Sequence, residues 1–72
     1  MELKKGFYTT SGGLIALVAY IRSALKLKGS GVVFEAGRCT HTGWHNDGNV
    51  FPGTYRHKYD LVEYLGTELP ID

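Results

Sequence analysis

The stretch LIALVAYIRSALKL, residues 14–27, decides whether this chain is all β or a mixture of strand and helix. Its apolar residues can be placed on one helical stripe, and Ser11 stands where it could cap such a helix. Read as a strand, its first eight residues are apolar on both faces, as in a strand buried within a small barrel. The short, glycine-separated segments around it favour the strand, although residues 14–25 fit either structure.

The segments that flank this stretch carry strand patterns. KKGFYTT (residues 4–10) is rich in aromatic and β-branched residues and ends at SGG, a strong turn signal, so it predicts a strand entering a hairpin. GVVFEAG (31–37) alternates between two faces and predicts a half-buried strand. RCTHTGW (38–44) alternates as well, with Cys39 and His41 on one face and Trp44 on the other.

The stretch GWHNDGNVF, residues 43–51, predicts a hairpin bend. Asp-Gly supplies the positive backbone angles that tight hairpin turns require, so the chain is expected to return into a strand at NVF. Trp44 is then expected to pack over the mouth of the barrel, with His45 leading into the turn. After the polar loop 54–59, DLVEYL (60–65) predicts a last short strand or a single helical turn, anchored by Leu61 and Leu65.

These patterns together predict a mostly β protein. We expect a small, single-domain, barrel-like antiparallel sheet of about five strands, with room for one short helix. A chain of 72 residues holds one modest core. The domain is expected to span residues 1–72, with an ordered core at about 5–65 and a frayed tail at 66–72.

Composition narrows the classes of function. The formal net charge is +1, which is too weak to attract a long nucleic acid by bulk electrostatics. The single cysteine, Cys39, cannot form an internal disulfide, whereas small secreted domains usually carry several, so a reducing, intracellular compartment is expected. The apolar run 14–21 is too short to span a bilayer and lies too far inside the chain for a signal peptide, and no membrane association is expected.

Metal binding and catalysis are the two chemical alternatives. The ligand candidates for a metal are Cys39, His41, His45 and His57, but a structural zinc signature has paired ligands at repeated spacings, and this chain has one cysteine. A hydrolase would use Cys39 as nucleophile with His41 or His57 as base, yet a small barrel has little concave, water-excluded surface. We therefore predict no metal, no cofactor and no catalytic residues.

The loop TYRHKY, residues 54–59, is the strongest candidate for a binding surface. It combines aromatic faces with positive charge, a mixture that is frequent in protein interfaces and that also stacks bases and contacts phosphates. Aromatic anchors, two cations and a pH-sensitive His57 make up the predicted partner contacts, which are Trp44, Tyr55, Arg56, His57, Lys58 and Tyr59. A protein partner is favoured by the small net charge. A nucleic-acid or small-nucleotide binding module is the alternative, and a solvated loop whose tyrosines cover the core edge is the third interpretation.

Self-association is a further expectation. A sheet of few strands leaves unpaired edges, and LIALVAY, residues 14–20, is apolar on both faces. A second copy would bury this surface, so a homo-oligomer is predicted.

Several short motifs in this chain resemble a group of phage proteins. The four motifs are FYTTSGGLIALV, GVVFEAG, a Trp followed three residues later by Asp-Gly, and DLVE. They resemble the aromatic-Thr-x-x-Gly hairpin, the Gly-x-Val/Ile strand, the Trp-x-x-x-Gly turn and the closing Asp-Leu-Val-Glu of small uncharacterised accessory proteins of tailed phages and prophages. The resemblance covers residues 7–63. YIRSALKLKGSG and TYRHKY match no part of that pattern.

This resemblance implies a small β-barrel-like accessory protein and supplies no catalytic residues. The corresponding function is non-enzymatic binding of a host or phage protein during infection, as in counter-defence or host takeover. The corresponding location is the cytoplasm of an infected or lysogenic bacterium.

Overall fold

A computed structural model of the chain describes residues 3–22, 28–51 and 56–68. These residues form five strands, β1 (Gly6–Thr10), β2 (Ile15–Ile21), β3 (Gly29–Glu35), β4 (Arg38–Trp44) and β5 (Leu61–Gly66). The strands make one antiparallel sheet in the order β4-β3-β2-β1-β5. The predicted mostly β class and its five antiparallel strands are confirmed, but the sheet is not closed, because β4 and β5 remain as its two edges.

The ambiguous stretch is a strand over Ile15–Ile21 and lies in the middle of the sheet, between β1 and β3. Ala16 and Val18 are fully buried in the core. Ile15 and Leu17 lie on the opposite face and are half-buried. The strand lies in the centre of the sheet, and its second face stays apolar although the core lies on the other face, so the alternation of apolar and polar residues is missing here. Residues 23–27, which include the rest of that stretch, fall outside the described part of the chain.

The hydrophobic core lies between one face of the sheet and the connection from β4 to β5. The Trp44 indole Nε1–H donates to the Tyr59 carbonyl at 2.8 Å. The Leu61 N–H donates to the Gly48 carbonyl at 2.8 Å, which holds the connection against the sheet. The buried core side chains are Leu3, Tyr8, Ala16, Val18, Val33, Trp44 and Leu61.

Trp44 corrects the sequence prediction. It was expected at a barrel mouth and among the partner contacts, but it is the largest fully buried side chain, with 0% exposure. Its place at the end of β4 puts the indole under the connection, where the Tyr59 carbonyl satisfies its only polar group. Trp44 is therefore a core residue and offers no surface to a partner.

The turn after β4 forms at the predicted position, although only Gly48 of the Asp-Gly pair has a positive φ. The strand expected after it is wrong. The Gly48 N–H donates to the His45 carbonyl at 2.8 Å, and Gly48 has a φ of 87°. Residues 49–51 are not a strand, because the Val50 N–H donates to the Asp60 carboxylate and the Val50 side chain packs against the core.

The C-terminal segment DLVEYL forms the edge strand β5 and not a helical turn. Leu61 is its buried anchor, whereas Leu65 is only half-buried. Residues 69–72 of the predicted frayed tail are outside the described residues. Within residues 3–22, 28–51 and 56–68, no helix has the length and apolar character that crossing a membrane requires.

Candidate functional site

The segment that precedes β5 is fixed by the carboxylate of Asp60. Asp60 is only 4% exposed, and its two oxygens accept the Val50 N–H and the His57 N–H, each at 2.9 Å. The Asp60 N–H in turn donates to the His57 carbonyl at 3.0 Å. A buried carboxylate is tolerated when it accepts hydrogen bonds on both oxygens. One side chain therefore sets the conformation of the chain on both sides of the undescribed residues 52–55.

The same segment is bound to the turn between β1 and β2. The Ser11 and Gly12 N–H groups donate to the Asp60 and Lys58 carbonyls, both at 2.9 Å. The Ser11 hydroxyl donates to the His57 carbonyl at 2.7 Å. A Cβ added at Gly12 would lie 2.9 Å from the Lys58 Cβ, so a glycine is what permits the close approach. These contacts hold residues 57–60 as part of the folded body.

Glu35, at the end of β3, holds two side chains of the loop. The Tyr59 hydroxyl donates to its Oε1 at 2.6 Å, and Lys58 Nζ contacts its Oε2 at 2.9 Å. The hydrogen bonds from Tyr59 and Lys58 lower the pKa of Glu35 below its ordinary value. The hydrogen bond to Glu35 likewise raises the pKa of Lys58. Both residues are charged near neutral pH, so Lys58 is neutralised locally by Glu35.

Three rings lie edge to face beside this ion pair. The ring centroids of Phe51 and His57 are 5.7 Å apart, and those of His57 and Tyr59 are 4.9 Å apart. His57 Nδ1 accepts the Tyr59 N–H at 3.1 Å, so the neutral imidazole carries its proton on Nε2. Phe51 remains 45% exposed although it belongs to the ring cluster.

We call the resulting patch the loop surface, and it consists of Phe51, Arg56, His57, Lys58 and Tyr59. Of its members, Phe51, Arg56 and Lys58 are exposed, while His57 and Tyr59 are half-buried. Tyr55, another predicted contact, lies in the part of the chain that is not described.

Sequence reasoning missed Phe51 and Glu35. Phe51 was assigned to a returning strand and Glu35 to the half-buried strand at residues 31–37, and neither was predicted to contact the loop. Glu35 is 23 residues from Lys58 and 24 residues from Tyr59 in the sequence. A contact over that separation cannot be predicted from a local sequence pattern.

The candidate metal ligands are not brought together. Cys39 and His41 do share a face of β4, and both are exposed. His57 uses Nδ1 to accept the Tyr59 N–H, and His45 is half-buried next to the turn. Across the described ranges, no group of three or more His, Cys, Asp or Glu side chains is close enough to hold a metal ion.

Comparisons with protein-family models, with curated proteins and with solved structures yield no match. The resemblance to phage accessory proteins stays a prediction from short motifs.

Proposed function

We propose that this chain is a non-enzymatic, phage-type accessory protein that binds a host or phage protein through the loop surface, in the cytoplasm of a bacterial host. One observation carries the binding part of this proposal. An exposed aromatic ring and an exposed arginine, Phe51 and Arg56, adjoin backbone that Asp60 holds by hydrogen bonds to Val50 and His57.

Hydrogen-bonded backbone next to this surface supports binding for an energetic reason. Association has to overcome the entropy lost when side chains and loops become ordered, so a surface that is ordered in advance binds more tightly than a mobile one. Aromatic side chains and arginine also dominate the energetics of most protein interfaces. Phe51 provides the apolar contact, and Arg56 provides a planar group that can pair with a carboxylate of the partner.

A protein partner is favoured over a nucleic acid at this surface. Lys58 already has a carboxylate partner in Glu35, at 2.9 Å. Arg56 is then the main cation for contacts with phosphates. Nucleic-acid binding draws most of its affinity from several such contacts, and its affinity falls steeply with salt. The phage origin and the cytoplasmic location rest on the motif resemblance and on the cysteine usage.

A capture experiment with matched variants tests this function. Tagged full-length protein is incubated with bacterial lysate, with and without nuclease, and compared with the double variant Phe51→Ala, Arg56→Ala. The double variant Tyr20→Ala, Arg22→Ala is the control, because it also removes one exposed aromatic ring and one exposed arginine but lies on β2 and the residue after it. A captured protein is then purified, and its affinity for each variant is measured by calorimetry.

We expect the captured protein to bind the wild type and the control variant alike, with nuclease making no difference. The loop-surface variant is expected to weaken the affinity by at least tenfold, roughly the effect of removing one interface residue worth more than 1 kcal/mol. Equal affinity of both double variants, or loss of capture after nuclease treatment, would reject the loop surface as a protein-binding site.

A further inference from the structure

A second surface feature lies on the other face of the sheet, away from the core. Across β2, β3 and β4 the register aligns Tyr20 with Ser30 and Ser30 with Gly43. This row therefore combines a large tyrosine ring, a small serine side chain and a glycine. The next row aligns Leu17, Val32 and His41. The result is a hollow of about 540 Å³, which we call the β2–β4 hollow.

An irregularity in β2 creates this arrangement. The pairing shifts by one residue between Val18 and Tyr20, so that Tyr20, and not Ala19, stands opposite Ser30. A bulge of this kind redirects side chains and is often found next to binding sites. The redirected Tyr20 side chain is 64% exposed and adds nothing to the core. Its exposed ring forms one side of the hollow and is open to stacking.

The charge of the β2–β4 hollow is positive. Its cationic lining residues are Arg22 and Lys28, and among its described lining residues none is acidic. The Arg22 N–H donates to the Lys28 carbonyl, which places both cationic residues at the same end. In the described part of the chain, the Arg22 guanidinium has no ion-pair partner. The Arg22 guanidinium, beside an apolar floor of Leu17 and Val32, favours an anion that also carries an apolar or planar part.

We propose that the β2–β4 hollow binds a small organic anion in which a phosphate or carboxylate is attached to a planar ring. The anion lies at Arg22 and Lys28, the ring packs against Tyr20 and Val32, and the Ser30 hydroxyl supplies a hydrogen bond. The volume is in the range of small-molecule sites and fits one mononucleotide-sized ligand. This site is separate from the loop surface and does not depend on the function proposed for it.

Titration of the isotope-labelled full chain followed by amide chemical shifts tests the proposal directly. Adenosine monophosphate is the probe. Inorganic phosphate, which supplies only the anion, and adenosine, which supplies only the planar ring, are titrated as half-probes. We expect saturable shifts confined to the neighbourhood of Ser30 and Gly43, with a Kd below about 1 mM. Each half-probe is expected to bind at least tenfold more weakly. A Kd above this limit, or shifts that concentrate at residues 56–59, would overturn the assignment.

Two variants remove the site in different ways. Arg22→Gln removes a cation. Gly43→Val adds a side chain on the same face of β4 as His41, where it fills the hollow, and valine is a residue suited to a strand. Both are expected to weaken binding at least tenfold, the usual scale for one charged hydrogen bond, whereas Arg56→Gln on the loop surface leaves it unchanged. Unfolding curves of each variant verify that it folds. Equal affinity of Arg22→Gln and wild type would reject the site.

A single-stranded oligonucleotide of about ten residues separates a free small molecule from a nucleic acid. We expect it to bind no more tightly than the mononucleotide, because the cations of the hollow are confined to one end. Much tighter binding of the oligonucleotide, with affinity falling steeply with salt, would replace the small-molecule proposal with a nucleic-acid site.

Discussion

Both carboxylate oxygens of Asp60 accept backbone N–H groups, one from Val50 and one from His57, and the residue is 4% exposed. Asp60→Asn keeps the shape but replaces one acceptor oxygen with a donor, which leaves one partly buried N–H without its acceptor. We expect the free energy of unfolding to fall by about 1–3 kcal/mol. Urea unfolding followed by the fluorescence of Trp44 measures this change.

The control for Asp60→Asn is Glu63→Gln, an equivalent change on an exposed residue of β5. We expect its effect to stay within about 0.5 kcal/mol. If Asp60→Asn were as mild as the control, the carboxylate would not be what holds the loop.

Glu35 makes the loop surface sensitive to pH. Its pKa is lowered from an ordinary 4.5 by the hydrogen bonds from Tyr59 and Lys58, so its contribution to stability is fully present above about pH 4.5. That contribution is lost as the pH falls through the lowered pKa. At the alkaline end, the raised pKa of Lys58 gives a contribution that is present below the ordinary 10.5 and lost as the pH rises through the folded-state value.

We therefore expect the stability difference between wild type and Glu35→Gln to be constant at neutral pH and to shrink in acid. Unfolding curves from about pH 3 to about pH 7 measure it, and Glu63→Gln serves again as the control. Added salt is expected to reduce the difference, because Lys58 is exposed. A difference that is the same at pH 3 and pH 7 would show that the contacts of Glu35 do not stabilise the fold.

At the scale of elements, the turn between β3 and β4 contains an avoidable strain. Ala36 and Gly37 have φ values of 51° and 76°, and two positive angles are typical of a type I′ turn, which favours Asn-Gly. An alanine in this region is disfavoured by about 1 kcal/mol. Ala36→Asn is therefore expected to raise the free energy of unfolding by about 0.5–1 kcal/mol.

The converse changes at the same turn are its controls. Ala36→Val and Gly37→Ala are expected to lower the free energy of unfolding, because neither residue tolerates a positive φ well. Both positions are exposed, so differences in packing do not obscure the comparison. If Ala36→Asn lowers the stability while Ala36→Val raises it, the turn is of another type.

Some features of the strands could be predicted from the sequence and others could not. The alternation of β4 predicted its extent, Arg38–Trp44, and the separation of Cys39 and His41 from Trp44. It did not predict which face is buried, because that depends on where the connection to β5 lies. The conformation of residues 49–51 depends on Asp60, ten residues from Val50, and the β2–β4 hollow depends on a shift of register between strands. Neither the hydrogen bond between Val50 and Asp60 nor the shift of register can be recognised from a short stretch of sequence.

At the scale of the molecule, one buried indole joins the two layers of the core. Trp44 stands at the end of the edge strand β4 and binds the Tyr59 carbonyl of the connection that covers the sheet. A chain of 72 residues has a total stability of about 4–11 kcal/mol, and truncating a buried tryptophan typically removes about 3–5 kcal/mol. The sheet and its connection are therefore expected to unfold together, which makes Trp44 a reporter of global unfolding.

The other face of the sheet bears on self-association. Ile15 and Phe34 stand opposite each other on β2 and β3 and are only half-buried, in the middle of a sheet whose core lies on the opposite side. A second copy packed on this row would cover the apolar run that predicted a homo-oligomer. We therefore expect the wild type to sediment as an oligomer whose fraction rises with protein concentration.

The double variant Ile15→Thr, Phe34→Thr places β-branched residues suited to strands at both positions and removes the apolar row, so it is expected to sediment as a folded monomer. Val62→Thr on the edge strand β5, where Val62 is exposed, separates face from edge. If association is through the face, Val62→Thr remains an oligomer. If Val62→Thr is the monomer, the free edge of β5 is the interface, and a wild type that stays monomeric up to about 100 µM would rule out self-association by either route.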